Sequence, residues 1–280
     1  MNPHREDMPA GAGFTRSDYH LPGGLTSRVA LSALLGRRRD MLADATALLA
    51  PPCPPPRMAG EENIPPTGPF LLVMNHYARP GLDAWWAAVL ATWAVGQVRP
   101  SSPPRWLMVS EWAWPSWQYR LIITPVTRLA FAGFAGVYGM ILTPPVLNPA
   151  YSPQEGARAV RRFLRAAGDA VAQGQALAIA PEGREGHLGA LTTLPPGTGR
   201  FLILLSVAGL PILPVGVSED PPGELIARFG PASALTPPAG LRRLDADGWA
   251  AAEVMGRVAA LLPPDLRGPY AASGAEGRPA

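Results

Sequence analysis

The sequence predicts a single α/β domain with a mostly parallel central sheet flanked by helices, and three observations carry that prediction. Short apolar runs bounded by Pro, Gly or polar pairs recur along the chain, at 70–74, 105–109, 176–180, 212–217 and 224–229, and read as buried strands. Longer segments with helical periodicity separate them, an alternation that joins parallel strands through crossover helices. With 280 residues, 48% of them hydrophobic, the chain can bury one sizeable core.

The elements follow in order. Residues 1–64 form an N-terminal region that is irregular except for a basic amphipathic helix over 28–50. There Leu31, Leu35, Leu42 and Leu49 share one face beside Arg37, Arg38 and Arg39. A Pro-rich link over 51–69 leads into the domain proper, 65–262. Phe70–Met74 is a strand, and 83–98 a helix apolar almost all round. Arg105–Val109 and Gly136–Leu142 are further strands. Ser152-Pro-Gln-Glu155 has the spacing of a capping box with proline at the first helical position. Val160, Phe163, Leu164, Ala167 and Val171 continue it as one apolar stripe. Ala176–Ala180 is a strand, Arg200–Val207 a helix with Gly209 as its cap, and Ile212–Val217 and Glu224–Phe229 are strands. Trp249–Leu262 closes the domain as a helix, and 263–280 is expected to be a flexible tail.

Composition excludes several classes. The lone Cys53 rules out an intramolecular disulfide scaffold and any multi-cysteine metal site. All 24 basic residues are arginine, so no Schiff-base or Walker-type lysine is available. A net charge of +3 spread over so much Ala, Gly and Pro reads as compositional bias, and no nucleic-acid partner is expected. Only 16% of residues are charged, against about 25% in a typical soluble domain.

That low charge raises the question of a membrane. The N-terminus, with Arg5, Glu6 and Asp7 and no apolar run behind them, does not read as a secretory signal. The most apolar stretch, Leu129–Leu142, is only 14 residues long before Pro144 and Pro145, whereas a bilayer span needs about 20; it reads as a buried or re-entrant element. Seven of the eight tryptophans fall between Trp85 and Trp117, a crowding suited to a membrane–water interface. With the basic helix, they predict contact with a membrane surface.

Two constellations could carry chemistry. His76 follows a buried strand in Met74-Asn75-His76-Tyr77-Ala78-Arg79-Pro80-Gly81-Leu82-Asp83. The carboxyl end of a parallel strand is where α/β proteins place ligands, and a histidine there can act as a general base. The same residues also suit a hydrogen-bonded loop histidine. Ala180-Pro181-Glu182-Gly183-Arg184-Glu185-Gly186 lies beyond another such strand. It suits either an exposed ion pair or an arginine that binds an anion.

Taken together, a strand ending in Asn75-His76, an acid shortly after at Asp83, the Pro181-Glu182-Gly183 loop, and Gly209-Leu-Pro-Ile-Leu-Pro-Val215 leading to Arg228-Phe-Gly-Pro231 resemble the glycerolipid acyltransferases that acylate lysophosphatidic acid or glycerol phosphate. The match in order and spacing covers about residues 65–235. The resemblance implies transfer of a fatty acyl group from an acyl thioester, on coenzyme A or acyl carrier protein, to a hydroxyl of a lysolipid or glycerol-type acceptor, with 1-acylglycerol-3-phosphate foremost. It implies His76 as the base and Asp83 as its orienting partner. Asn75, Arg79, Glu182, Gly183 and Arg184 would bind substrate. No metal or cofactor is called for, and no acyl-enzyme nucleophile is needed. The implied location is the cytoplasmic face of a membrane, peripheral or monotopic. This chain departs from the family pattern in three places. Six residues rather than four separate His76 from Asp83, Arg184 directly follows Gly183, and Gly139-Met-Ile-Leu-Thr-Pro-Pro145 lacks the usual arginine. Pro80-Gly81 suits a looped-out excursion that would absorb the extra residues, and Asp83 also suits an N-cap. The rival readings are a non-catalytic lipid-binding protein on the same fold and a lipid ester or thioester hydrolase.

Overall fold

In the computed structural model, residues 19–111, 117–143 and 153–274 are described. Seven strands form one sheet in the order β1 (Arg57–Ala59), β7 (Leu225–Phe229), β6 (Ile212–Glu219), β2 (Leu71–Met74), β5 (Leu177–Ile179), β3 (Arg105–Val109), β4 (Ile141–Thr143). Every neighbouring pair is parallel except β6 and β7, so the predicted fold class is observed. The central strands are buried on both faces, which is why they read as unbroken apolar runs rather than alternating ones.

The helices are α1 (Gly23–Leu34), α2 (Met41–Leu48), α3 (Trp85–Val98), α4 (Trp117–Tyr138), α5 (Pro153–Ala172), α6 (Thr198–Val207) and α7 (Ala246–Ala259). Most sit where periodicity places them. Ser152, the first residue of the expected capping box, lies outside the described residues, although α5 begins at the next position. Within the stripe of α5, Phe163 and Ala167 are buried but Val160 is exposed. Gly209, at φ +95°, follows the end of α6 and donates to the Ser206 carbonyl, as a C-terminal glycine does.

Four expectations are corrected. The basic helix over 28–50 is two helices, broken at Gly36 (φ +62°); Asp40 then caps α2 by accepting from the Leu42 and Ala43 N–H groups. Arg39 leaves the surface to pair with the buried Asp44 at 2.5 Å, and the Tyr138 hydroxyl donates to the same carboxylate at 2.9 Å, tying α2 to the end of α4. The strand expected over 136–142 begins only at Ile141, because the Ala- and Leu-containing run before it continues α4 as far as Tyr138. The apolar run Leu129–Leu142 is not buried throughout: Leu129 and Phe134 are exposed.

The third correction concerns the tryptophans. Trp86 and Trp106 lie in the core, and the Trp106 indole donates to the Thr92 hydroxyl at 2.9 Å. They are core aromatics, not interface anchors, while Trp112 and Trp114 lie outside the described residues. The fourth concerns the boundaries. β1, expected within a Pro-rich link, pairs with β7, and the expected tail returns to the core by burying Leu266 and Tyr270.

Candidate active site

The site grows from the carboxyl end of β2. Register pairs Leu71–Met74 with Ile212–Val215 on one side, and Leu71–Val73 with Leu177–Ile179 on the other. Asn75 and His76 therefore emerge beside the end of β5 and alongside β6, which continues to Glu219. Asn75 is fully buried; its amide donates to the Val217 carbonyl (2.9 Å) and its carbonyl oxygen accepts from the Val217 N–H (2.8 Å). Expected to contact substrate, it instead extends the β2–β6 ladder with a side chain. It anchors the backbone immediately before His76.

Arg79 is corrected in the same way. Its guanidinium grips the Glu219 carboxylate at the end of β6 through two bonds, Nε at 2.8 Å and Nη2 at 2.6 Å. The two side chains are only 5% and 8% exposed. The Tyr77 hydroxyl donates to the same carboxylate at 3.3 Å. A bidentate, desolvated pair of this kind fixes geometry rather than waiting for an anion. It holds the loop that leaves His76.

That loop turns as its sequence suggests. Arg79 and Leu82 exchange backbone hydrogen bonds at 3.1 and 2.8 Å around Pro80 and Gly81, with Gly81 at φ +84°. The two extra residues are thus looped out. Asp83 is nevertheless exposed, and its carboxylate accepts the Trp85 indole N–H at 3.3 Å. It makes no hydrogen bond to His76, and it does not cap α3, whose N-terminus carries no side-chain cap. The expected His76–Asp83 pair is not formed.

Glu182 does what neither Asn75 nor Asp83 does: it links the two loops. It is 2% exposed, accepts the His76 backbone N–H at 2.8 Å and takes the Thr192 N–H at 2.5 Å. Burial raises its pKa, and those same hydrogen bonds oppose the rise. It is a brace, not the substrate contact expected. Gly183 (φ +64°) then swings the chain outward. Beyond it Leu188 sits at φ +50°, uncommon for a bulky residue, while Gly189 packs against the Tyr77 ring, where a Cβ would come 2.6 Å from Cδ2.

Two groups remain available. The His76 ring is half-buried, its Nδ1 is buried with no hydrogen-bond partner, and desolvation holds its pKa below the ordinary imidazole value. Arg184 is exposed; its guanidinium lies 3.5 Å from the Thr193 hydroxyl, its charge also opposes the rise in the Glu182 pKa, and it forms no ion pair with any described residue, Glu185 included. Sequence reasoning found both but missed Glu219 and Thr192, whose partners lie 140 and 10 residues away. An acid closing a buried strand, as in Ser218-Glu219-Asp220, is the only local signal for the first. Among the described residues no cluster of three or more His, Cys, Asp or Glu could hold a metal.

A desolvated imidazole and an exposed guanidinium thus stand at the carboxyl edge of the mostly parallel sheet of an α/β protein. A family model for acyltransferases matches residues 56–218, well over half of the chain, and the chain belongs to the acyltransferase family. No curated protein matches it. Among solved structures it is similar to the 1-acyl-sn-glycerophosphate (LPA) acyltransferase PlsC from Thermotoga maritima, at 16% identity and a TM-score of 0.45 over 82% of this chain and 86% of that one.

Proposed function

We propose that this acyltransferase moves a fatty acyl group from a thioester to a hydroxyl of a glycerolipid acceptor at a membrane surface, with 1-acylglycerol-3-phosphate the leading acceptor. The observation that carries the reading is the desolvated, unpartnered His76 imidazole beside the loop bearing Arg184. A neutral ring accepts the proton of the acceptor hydroxyl as its oxygen attacks the thioester carbonyl. The carbon–sulfur bond then breaks, and the departing thiolate receives that proton from the imidazolium. Labelled acyl thioester with a panel of lysolipids tests this. Acylated lipid supports it, whereas free fatty acid alone, or binding without turnover, overturns it.

Arg184 is the acceptor's anion contact in this reading. Arg184→Ala is expected to raise the KM of a phosphorylated acceptor at least tenfold, since a charge-assisted bond contributes about 1.5–3 kcal/mol. A neutral acceptor should be little changed. An equal effect on both would make Arg184 a loop-positioning residue instead.

Attachment to the membrane is peripheral in this reading. No helix among the described residues is long and apolar enough to cross a bilayer. The helices α1 and α4 pack together, with Gly133 close to Ala33, and both leave apolar side chains in solvent. Leu34 is 85% exposed and Leu129 77%, beside Leu31, Leu35 and Val126. Exposed apolar groups beside Arg28, Arg37 and Arg38 suit an anionic lipid surface. Sedimentation with anionic liposomes should be weakened, not abolished, by salt; resistance to both high salt and carbonate would reverse this reading.

A further inference from the structure

A cleft of about 840 Å³ opens between α4, β4 and α5, at the sheet edge opposite β1. Five arginines line it: Arg38 from the link between α1 and α2, Arg105 from β3, Arg128 from α4, and Arg158 and Arg162 from α5. Among the described side chains no acidic residue lines it, and small residues such as Ala132, Gly136 and Ala159 border it. The two nearby acids among the described side chains, Glu111 and Asp169, are engaged or lie to one side. Glu111, buried, pairs with Arg128 at 2.5 Å, and Asp169 acts on Arg105 from outside the lining. Arg105 donates to the Gly139 carbonyl at 2.9 Å and to Gln175 at 3.2 Å, and burial together with the Arg38 charge lowers its pKa. Arg38, Arg158 and Arg162 form no ion pair among the described residues. Like charges gathered around one cavity repel one another unless an anion joins them.

We propose that this cleft holds the phosphates of the acyl donor, the 3′-phosphoadenosine diphosphate end of an acyl-coenzyme A; the proposal rests on the acyl-transfer reading above. Its lining runs from Arg105 and Gly139, at the amino ends of β3 and β4, to Ser110 and Thr143 at their carboxyl ends, on the edge of the sheet that bears His76. β4 stands three places from β2, roughly 14 Å at about 4.8 Å per strand. In a glycerol phosphate the phosphorus lies only a few bonds from the reacting hydroxyl, so an acceptor at His76 does not reach this cleft. The long pantetheine arm between a thioester and its pyrophosphate does. A cavity of this volume also falls in the usual range for ligands of nucleotide size, about 300–1,000 Å³. The multiple negative charges of that end match the unpaired guanidinium groups.

The test uses Arg158→Ala/Arg162→Ala, two exposed positions whose loss leaves the core intact. Calorimetry with 3′,5′-ADP should show affinity reduced at least tenfold relative to the wild type. The KM for an acyl-coenzyme A should rise at least tenfold, while that for the matching acyl-pantetheine thioester, which carries no phosphate, stays unchanged. Unchanged affinity for 3′,5′-ADP, or an equal loss with both donors, overturns the assignment. So does turnover from acyl carrier protein by an enzyme that does not bind 3′,5′-ADP, which would leave the acyl-transfer reading standing. Arginine-dependent binding without any acyl transfer supports the cleft and sinks that reading instead.

Discussion

Replacing His76 with alanine is expected to lower kcat by about 10²–10⁴-fold, the usual cost of losing a general base, with the fold retained. The ring itself makes no hydrogen bond; its backbone N–H, which survives the substitution, is what Glu182 holds. Circular dichroism and thermal unfolding should therefore match the wild type while turnover collapses. A variant keeping more than about a tenth of the wild-type rate would remove His76 from the chemistry. The pH profile gives a second reading of the same group. Desolvation depresses the imidazole pKa, so the neutral base persists below about pH 6.5, and the acid limb of kcat/KM should fall only beneath that value. Asp83→Asn is the informative companion. With its carboxylate on the Trp85 indole, kcat should change by less than about tenfold, far below the roughly 10⁴ lost when an orienting carboxylate is replaced in the serine-protease triad.

Glu219→Ala is expected to be the most destabilising change near the site, by about 3–5 kcal/mol, because it leaves the Arg79 guanidinium buried without its partner. Thermal unfolding should register a drop in Tm on the order of 10 °C. Tyr77 would lose its acceptor as well, since its hydroxyl, pushed up in pKa by burial, donates to that same carboxylate. The Arg242–Asp245 pair is the control. Its side chains are 78% and 45% exposed, and truncating Asp245 should cost no more than about 1 kcal/mol. Equal effects at both sites would show that the Arg79–Glu219 pair does not brace the loop. Activity should fall along with stability at Glu219 only, because only that pair positions the chain leaving His76.

By itself the sequence determined the fold class and most of the elements. Short apolar runs bounded by Pro, Gly or polar residues, such as Leu71–Met74 and Ile212–Val217, read as strands buried on both faces, and the longer periodic segments between them as crossover helices. Proline and glycine did the same locally: Pro80-Gly81 specified the turn that loops out the extra residues before Asp83, and Gly209 ended α6. His76 and Arg184 stood out as candidates because each lies in the loop that leaves a buried strand, β2 and β5 respectively. What each polar side chain does was decided only by the tertiary structure. Asn75, Arg79 and Glu182 all looked like substrate contacts, yet they bind Val217, Glu219 and the His76 and Thr192 backbone. The arginines of the cleft come from four separate segments, and nothing near Arg38 in the chain announces Arg158. The reason is physical: periodicity and turn chemistry act over a few residues and are written locally. A buried polar group must find whichever partner the strand order brings beside it, and β6 reaches β2 from about 140 residues away.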